Sequence, residues 1–180
     1  MFFKRIASLF ITVALVCVFN GAALAELFSV SLGVPVYHSF NEEGVKADGM
    51  PTGVLAHVKF PIMIGLGIES YQTEIDTGEA NIDKVRLKTN MFDIFYLLPV
   101  PIVNITLGVG AGNINADSDI YEDSALAYQA WCQAGFPVLP FLDMHLSYHK
   151  IFAKLESKDD SISDANFNSD MIAVGIAFVF

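Results

Sequence analysis

The chain is poor in the features that mark most other classes of exported or membrane protein. It has two cysteines in 180 residues. Cys17 lies in the apolar N-terminal stretch, where Val16 fills a position that lipoprotein processing needs small. That leaves Cys132, and one thiol builds neither an internal disulfide framework nor a structural zinc site, which wants several ligands at set spacing. Basic residues are few, ten Lys and Arg against twenty Asp and Glu, for a formal charge of −10. A chain without clustered cations makes a poor binder of phosphate backbones, so no nucleic-acid partner is expected. Beyond the N-terminus no apolar run approaches the roughly 20 residues a spanning helix requires. Yet mean hydropathy is +0.48. The apolar content is therefore dispersed over many short segments.

The N-terminus is the exception. Lys4 and Arg5 precede an apolar run from Ile6 to Phe19, followed by Ala23-Leu24-Ala25. A basic start, a short apolar core and a small-x-small site make a secretory signal peptide, expected to be cleaved near Ala25. Residues 1–25 are thus signal and 26–180 a single domain. The signal holds two cations and no acid, so the charge of the remainder is −12.

Residues 171–180 read MIAVGIAFVF, with Ile172, Val174, Ile176, Phe178 and Phe180 on one parity and Ala173, Gly175 and Ala177 on the other. This is a period-two strand with one apolar and one thin face. The pattern repeats upstream over Leu27–His38, Gly53–Phe60, Ile62–Thr73, Lys84–Leu97, Ile102–Asn113, Ala125–Phe136 and Phe141–Phe152. Pro35 predicts an irregularity in the first segment, because proline donates no ladder hydrogen bond. In the fourth, Val85, Leu87 and Thr89 oppose the parity of Phe92, Ile94 and Tyr96, which predicts a β-bulge near Asn90 and Met91. Pro61, Pro99 with Pro101, and Pro137 with Pro140 mark short connections. Asn41–Met50, Glu74–Asp83, Asn115–Ser124 and Lys154–Asp170 are long, acidic and glycine-bearing or polar. Three short and four long connections in alternation suit eight antiparallel strands with both ends on one side. The reading is an all-β, eight-stranded antiparallel transmembrane β-barrel with short periplasmic turns and longer extracellular loops.

On these residues, and on the aromatic-terminated strand above all, the chain resembles the small eight-stranded bacterial outer-membrane β-barrels of the OmpA transmembrane-domain and OmpX kind. The resemblance implies a Gram-negative outer-membrane location and contact with outer-membrane lipid and lipopolysaccharide. It also implies recognition of the C-terminal strand ending at Phe180 by the barrel-assembly machinery. A monomer is expected, with a structural or surface-interaction role, in membrane integrity or adhesion through the acidic outer loops.

Parity assigns His57, Lys59, Glu69, Asn104, Thr106, Gln129, Gln133, Asp143, His145, Ser147 and His149 to the lumen, as an internal network or a narrow pore. Gly65, Gly67, Gly108, Gly110 and Gly175 would leave room there for larger neighbours. Cys132 falls on the lipid side and Trp131 inward, while Tyr128, Phe136, Phe141, Tyr148 and Phe152 suit interfacial girdles. His145-Leu146-Ser147 is similar to the His-x-Ser pair of lipid A deacylases of the PagL type, with Glu156 as third member. Against that, Tyr148 stands where the family has Asn, and the parity points inward. No catalytic residue, cofactor or metal site is therefore assigned. The acid runs Asp117, Asp119, Glu122, Asp123 and Asp159, Asp160, Asp164 read as solvated loops rather than calcium sites. A soluble lipocalin-like carrier is the remaining eight-stranded alternative, which would demand polar outer faces.

Overall fold

A computed structural model describes residues 28–42, 45–75, 85–100, 103–117, 124–155, 165–166 and 168–180. The expected signal segment, Glu156 and the acids at 119, 122, 123, 159, 160 and 164 lie outside them, as does the side chain of Asp117. Among the described residues every regular element is a strand: β1 (Ser29–Glu42), β2 (Val45–Gly49), β3 (Pro51–Lys59), β4 (Ile64–Ile75), β5 (Val85–Val100), β6 (Val103–Asp117), β7 (Ser124–Leu139), β8 (Leu142–Leu155), β9 (Ala165–Asn166) and β10 (Ser169–Val179). Eight of them form one antiparallel ladder in the order β10-β1-β3-β4-β5-β6-β7-β8, and β10 also pairs with β8. The sheet therefore closes. Closure gives each strand two hydrogen-bonded neighbours, which hydrocarbon makes obligatory because it offers the backbone no substitute for water.

Two short strands fall where the sequence reads as loop. β2 folds back on the end of β1, pairing His38–Glu42 with Val45–Gly49. β9 pairs with the last two residues of β8. The barrel strands also run past several prolines expected in turns. Pro99 pairs with Asn104 inside the β5–β6 ladder, and Pro137 sits in β7 where the register with β8 shifts. Pro61 and Pro140 do occupy turns.

The period-two reading of the faces holds around the barrel. Leu32, Val34, Val54, Leu66, Ile68, Ile94, Leu107, Val109, Leu146, Ile176 and Phe178 all point outward and are exposed. No second layer of protein covers them among the described residues, so the carrier with polar outer faces is excluded. The outward belt has visible limits. Toward the long loops it ends in Arg86 paired with Glu74 at 3.1 Å and Lys150 paired with Asp170 at 2.9 Å. Toward the short turns it ends in aromatics. Phe28 packs on Phe60 and Phe180 with ring centroids 6.4 and 6.3 Å apart, and Phe136 and Phe141 are exposed nearby. Tyr128, Tyr148 and Phe152 are exposed nearer the loop end. Aromatic rings at both edges of an apolar belt suit the two membrane interfaces.

Pro35 carries the expected irregularity: the β1–β10 register shifts between Pro35 and Tyr37. The shift turns Tyr37 outward, against the lumenal position its parity suggested, and brings His38 inside. The expected bulge at Asn90 and Met91 is absent. β5 pairs without a slip on both sides, and Leu87, Thr89, Met91, Asp93, Phe95 and Leu97 all face the lumen. The parity conflict has another cause. Near the loops the outside is polar, with Arg86 and Lys88, and the inside is apolar. Further down the outside turns apolar, with Phe92, Ile94 and Tyr96. The hydrophobic residues change face while the strand does not.

The lumen is correspondingly divided. Its loop half is filled by a cluster built on Phe40, Leu55, Tyr71, Leu87, Ile114 and Ile151, with Met91, Met171 and four alanines. Its middle and turn half hold polar groups and large rings seated against glycines. Gly65 faces Phe95, Gly67 faces His57, and Gly108 faces Trp131 across the ladder, and a methyl on any of the three would overlap the facing ring.

Two substitutions test this arrangement by urea unfolding in phospholipid vesicles. Val109→Arg places a charge in mid-belt on the lipid side and should lower stability by about 2–4 kcal/mol. Gly108→Ala should lower it by about 1–3 kcal/mol through overpacking against Trp131. Near-neutral behaviour of both would mean that Val109 does not touch hydrocarbon and that the lumen is loosely packed.

Candidate functional site: a polar belt across the mid-lumen

Five strands deliver the groups of the belt, each by the same alternation that sends its neighbours to lipid. β3 supplies His57, β4 Glu69, β5 Asp93, β7 Gln129 and Trp131, and β8 Ser147 and His149. All are buried, and Glu69 and His149 are only 2% and 0% exposed. The glycines opposite them give the large side chains space to reach the barrel axis.

The centre is Glu69. Its Oε1 lies 3.4 Å from His57 Nε2 and 3.4 Å from His149 Nδ1. Gln129 and Asp93 both approach it, and neither carboxylate oxygen has a hydrogen bond of full geometry. Asp93 stands beside it. Its Oδ1 accepts from Gln129 Nε2 at 2.6 Å and from Trp131 Nε1 at 3.2 Å, which leaves Oδ2 without a partner. The Trp131 ring lies parallel to His149, with centroids 5.5 Å apart, and tilted over His57 at 5.1 Å. His149 Nε2 is 2.9 Å from Ser147 Oγ. One donor atom each from His57, Glu69 and Asp93 lie within 4.8 Å of one another. So dense a set of buried polar atoms without hydrogen bonds is costly in an apolar surround.

Below the belt, toward the turns, a cavity of about 40 Å³ is lined by His57, Lys59, Asn104, Asp143, His145 and Ser31 among others. Asn104 donates to Asp143 at 2.7 Å, and His145 Nε2 is 2.9 Å from Ser31 Oγ. That volume accommodates a few waters. Above the belt the apolar cluster fills the lumen, broken by one polar contact set in which His38 bonds Thr73 at 2.8 Å and Ser169 at 2.9 Å.

The lumenal residues named from sequence all face inward. The structure does not join His145 to Ser147: the first bonds Ser31 and the second bonds His149. Both are buried inside the barrel, away from the surface that would meet acyl chains. Cys132 is exposed on the outside and Trp131 is buried within. Thr73, Thr89 and Ser169 face the lumen without having been named from sequence, and two titratable members escaped with them. Asp93 lies between Phe92 and Ile94, just past the expected bulge, and one unbroken parity through β5 would have found it. His38 lies beyond the Pro35 shift, which moves it to the inner face.

No protein-family model and no curated relative matches the sequence. Solved structures do. Neisserial surface protein A matches at a TM-score of 0.63 and 14% identity, over 85% of this chain and 97% of that one. The outer membrane protein OprG from Pseudomonas aeruginosa matches at 0.52 and 7% identity, over 85% of this chain and 95% of that one. The likeness is one of fold, and it extends over nearly the whole length of both proteins. With its closed ladder, apolar outer belt and glycine-seated polar interior, the chain is a small eight-stranded β-barrel of the outer-membrane type.

Proposed function

We propose that the chain is exported, loses residues 1–25 near Ala25, and works in a Gram-negative outer membrane as a structural and surface-interaction barrel. Its contribution would be to membrane integrity or adhesion through the acidic loops. The observation that carries this reading is the filling of the lumen. Ile114, Ile151 and Met171 are fully buried within an apolar cluster that spans the loop half. Unlike a water-filled porin, such an interior gives a solute no hydrated path, and an ion crossing it would lose its water without replacement. What remains for interaction is the outer belt, which meets lipid and the acyl chains of lipopolysaccharide, and the long acidic connections. The strand ending at Phe180 fits the assembly signal of such barrels, and a monomer suits a ladder with no unpaired edge.

The enzymatic alternative draws little support. A Ser–His hydrolase needs nucleophile and base within hydrogen-bond reach and exposed to substrate. His145 and Ser147 bond other partners inside the barrel.

Two measurements test the reading. In planar bilayers the purified protein should give no stepwise conductance above the bare lipid; regular steps would establish a pore. Shortening residues 76–84, 118–123 and 156–164 to tight turns should leave a folded barrel with heat-modifiable gel migration. In cells that shortened protein should fail to restore attachment or detergent resistance to a deletion strain. Full restoration would remove the loops from the function.

A further inference from the structure

We propose that the mid-lumen belt is a binding site for one divalent transition-metal ion of the zinc class. His57 Nε2, Glu69 Oε1 and Asp93 Oδ2 are its ligands, and His149 Nδ1, 3.4 Å from the same Glu69 oxygen, stands at the edge of this set as a further donor.

Four features of the geometry converge on this assignment. The first is spacing. The two imidazole nitrogens stand 3.4 Å from the same Glu69 oxygen, too far for a normal hydrogen bond. Metal–ligand bonds of about 2.0–2.1 Å in a tetrahedron give ligand–ligand edges of roughly 3.4 Å. The second is the pattern of missing partners. His57 Nε2, both Glu69 oxygens, Asp93 Oδ2 and His149 Nδ1 are all buried without hydrogen bonds. These atoms belong to the groups that gather around Glu69, and a cation among them would give His57 Nε2, Glu69 Oε1 and Asp93 Oδ2 the bonds they lack.

The third is the second layer of contacts. Metal-binding side chains are commonly oriented through their other polar atom. Asp93 is held at Oδ1 by Gln129 and Trp131, which leaves Oδ2 as its available ligand atom. His149 is anchored at Nε2, 2.9 Å from the Ser147 hydroxyl, and in the tautomer that donates this bond its Nδ1 lone pair points toward Glu69. Trp131 covers both imidazoles with its ring and restricts their rotation. The fourth is the chemistry of the set. Two imidazoles with two carboxylates suit borderline ions such as zinc better than calcium or magnesium, which favour all-oxygen shells. The small cavity lined by His57 provides a hydrated approach from the turn end, while the apolar cluster closes the loop end.

The site is independent of the surface role proposed above, since it uses no loop residue. The test uses the full-length gene without a histidine tag, with the barrel extracted from membranes in detergent. After incubation with zinc and passage over chelating resin, elemental analysis should find close to one zinc per chain. Glu69→Gln and Asp93→Asn, near-isosteric and uncharged, should each raise the zinc dissociation constant at least tenfold. His38→Gln, higher in the lumen, should leave it unchanged. Heat-modifiable migration reports whether each variant has folded. The wild-type protein loaded with cobalt gives a reading that needs no variant: intense visible d–d bands of a tetrahedral ion with nitrogen and oxygen ligands. Folded wild-type protein holding less than about a tenth of an equivalent of zinc, or cobalt showing only the weak octahedral spectrum of the aquo ion, would overturn the assignment. So would full zinc retention in the folded Glu69→Gln Asp93→Asn double variant.

Discussion

Everything in this molecule follows from the pairing of its last strand with its first. The β1–β10 ladder, from Ser29 opposite Val179 to Phe40 opposite Ser169, converts a sheet with two edges into a surface with none. In water an unpaired edge is a liability; in hydrocarbon it is prohibitive, since each orphaned backbone group costs several kcal/mol. Once the ladder is closed, side chains can point only outward to lipid or inward to a lumen too narrow to stay empty. The composition of each face is then set by its medium. Along the mid-belt leucine, isoleucine and valine go outside, and whatever packs around one axis goes inside.

The inside is the more demanding problem. Eight strands cannot admit large side chains from every position at one level, so the chain alternates bulk with its absence across the ladder. Phe95, His57 and Trp131 each face a glycine on the neighbouring strand, and these three rings touch one another at the axis, with centroids 5.1–5.6 Å apart. A polar centre is thereby walled by aromatic rings and kept small. The price is a set of polar atoms packed too tightly for water to satisfy them all, and the belt around Glu69 is where this is most acute.

Much of this was legible in the sequence because a period of two leaves little freedom. The faces of β3, β4, β6, β7, β8 and β10 follow directly from which residues alternate, as does the seating of rings against Gly65, Gly67 and Gly108. Part of what the sequence hides has a simple physical origin: apolar residues face a packed lumen as well as lipid. In β5 Leu87 and Met91 are apolar toward a filled lumen while Arg86 and Lys88 stand outside above the belt. Asp93 was lost to the same ambiguity. His38 was lost because a register shift at Pro35 changes parity by an amount that composition does not specify. The extra pairing of β2 on β1 was hidden for a related reason, since glycine and acidic residues mark the bend of a hairpin as well as a loop.

The apolar filling of the loop half has a consequence for how such a protein can change over time. It stands between the loop end of the barrel and the polar centre as a packed bulkhead, with Ile114, Ile151 and Met171 wholly enclosed. Rearrangement of a connection above it meets close-packed hydrocarbon, which transmits no proton, water or charge to the groups beneath. The two ends of the barrel are therefore free to diversify separately: connections between strands can lengthen, shorten or exchange their charges without disturbing the polar groups packed at the middle.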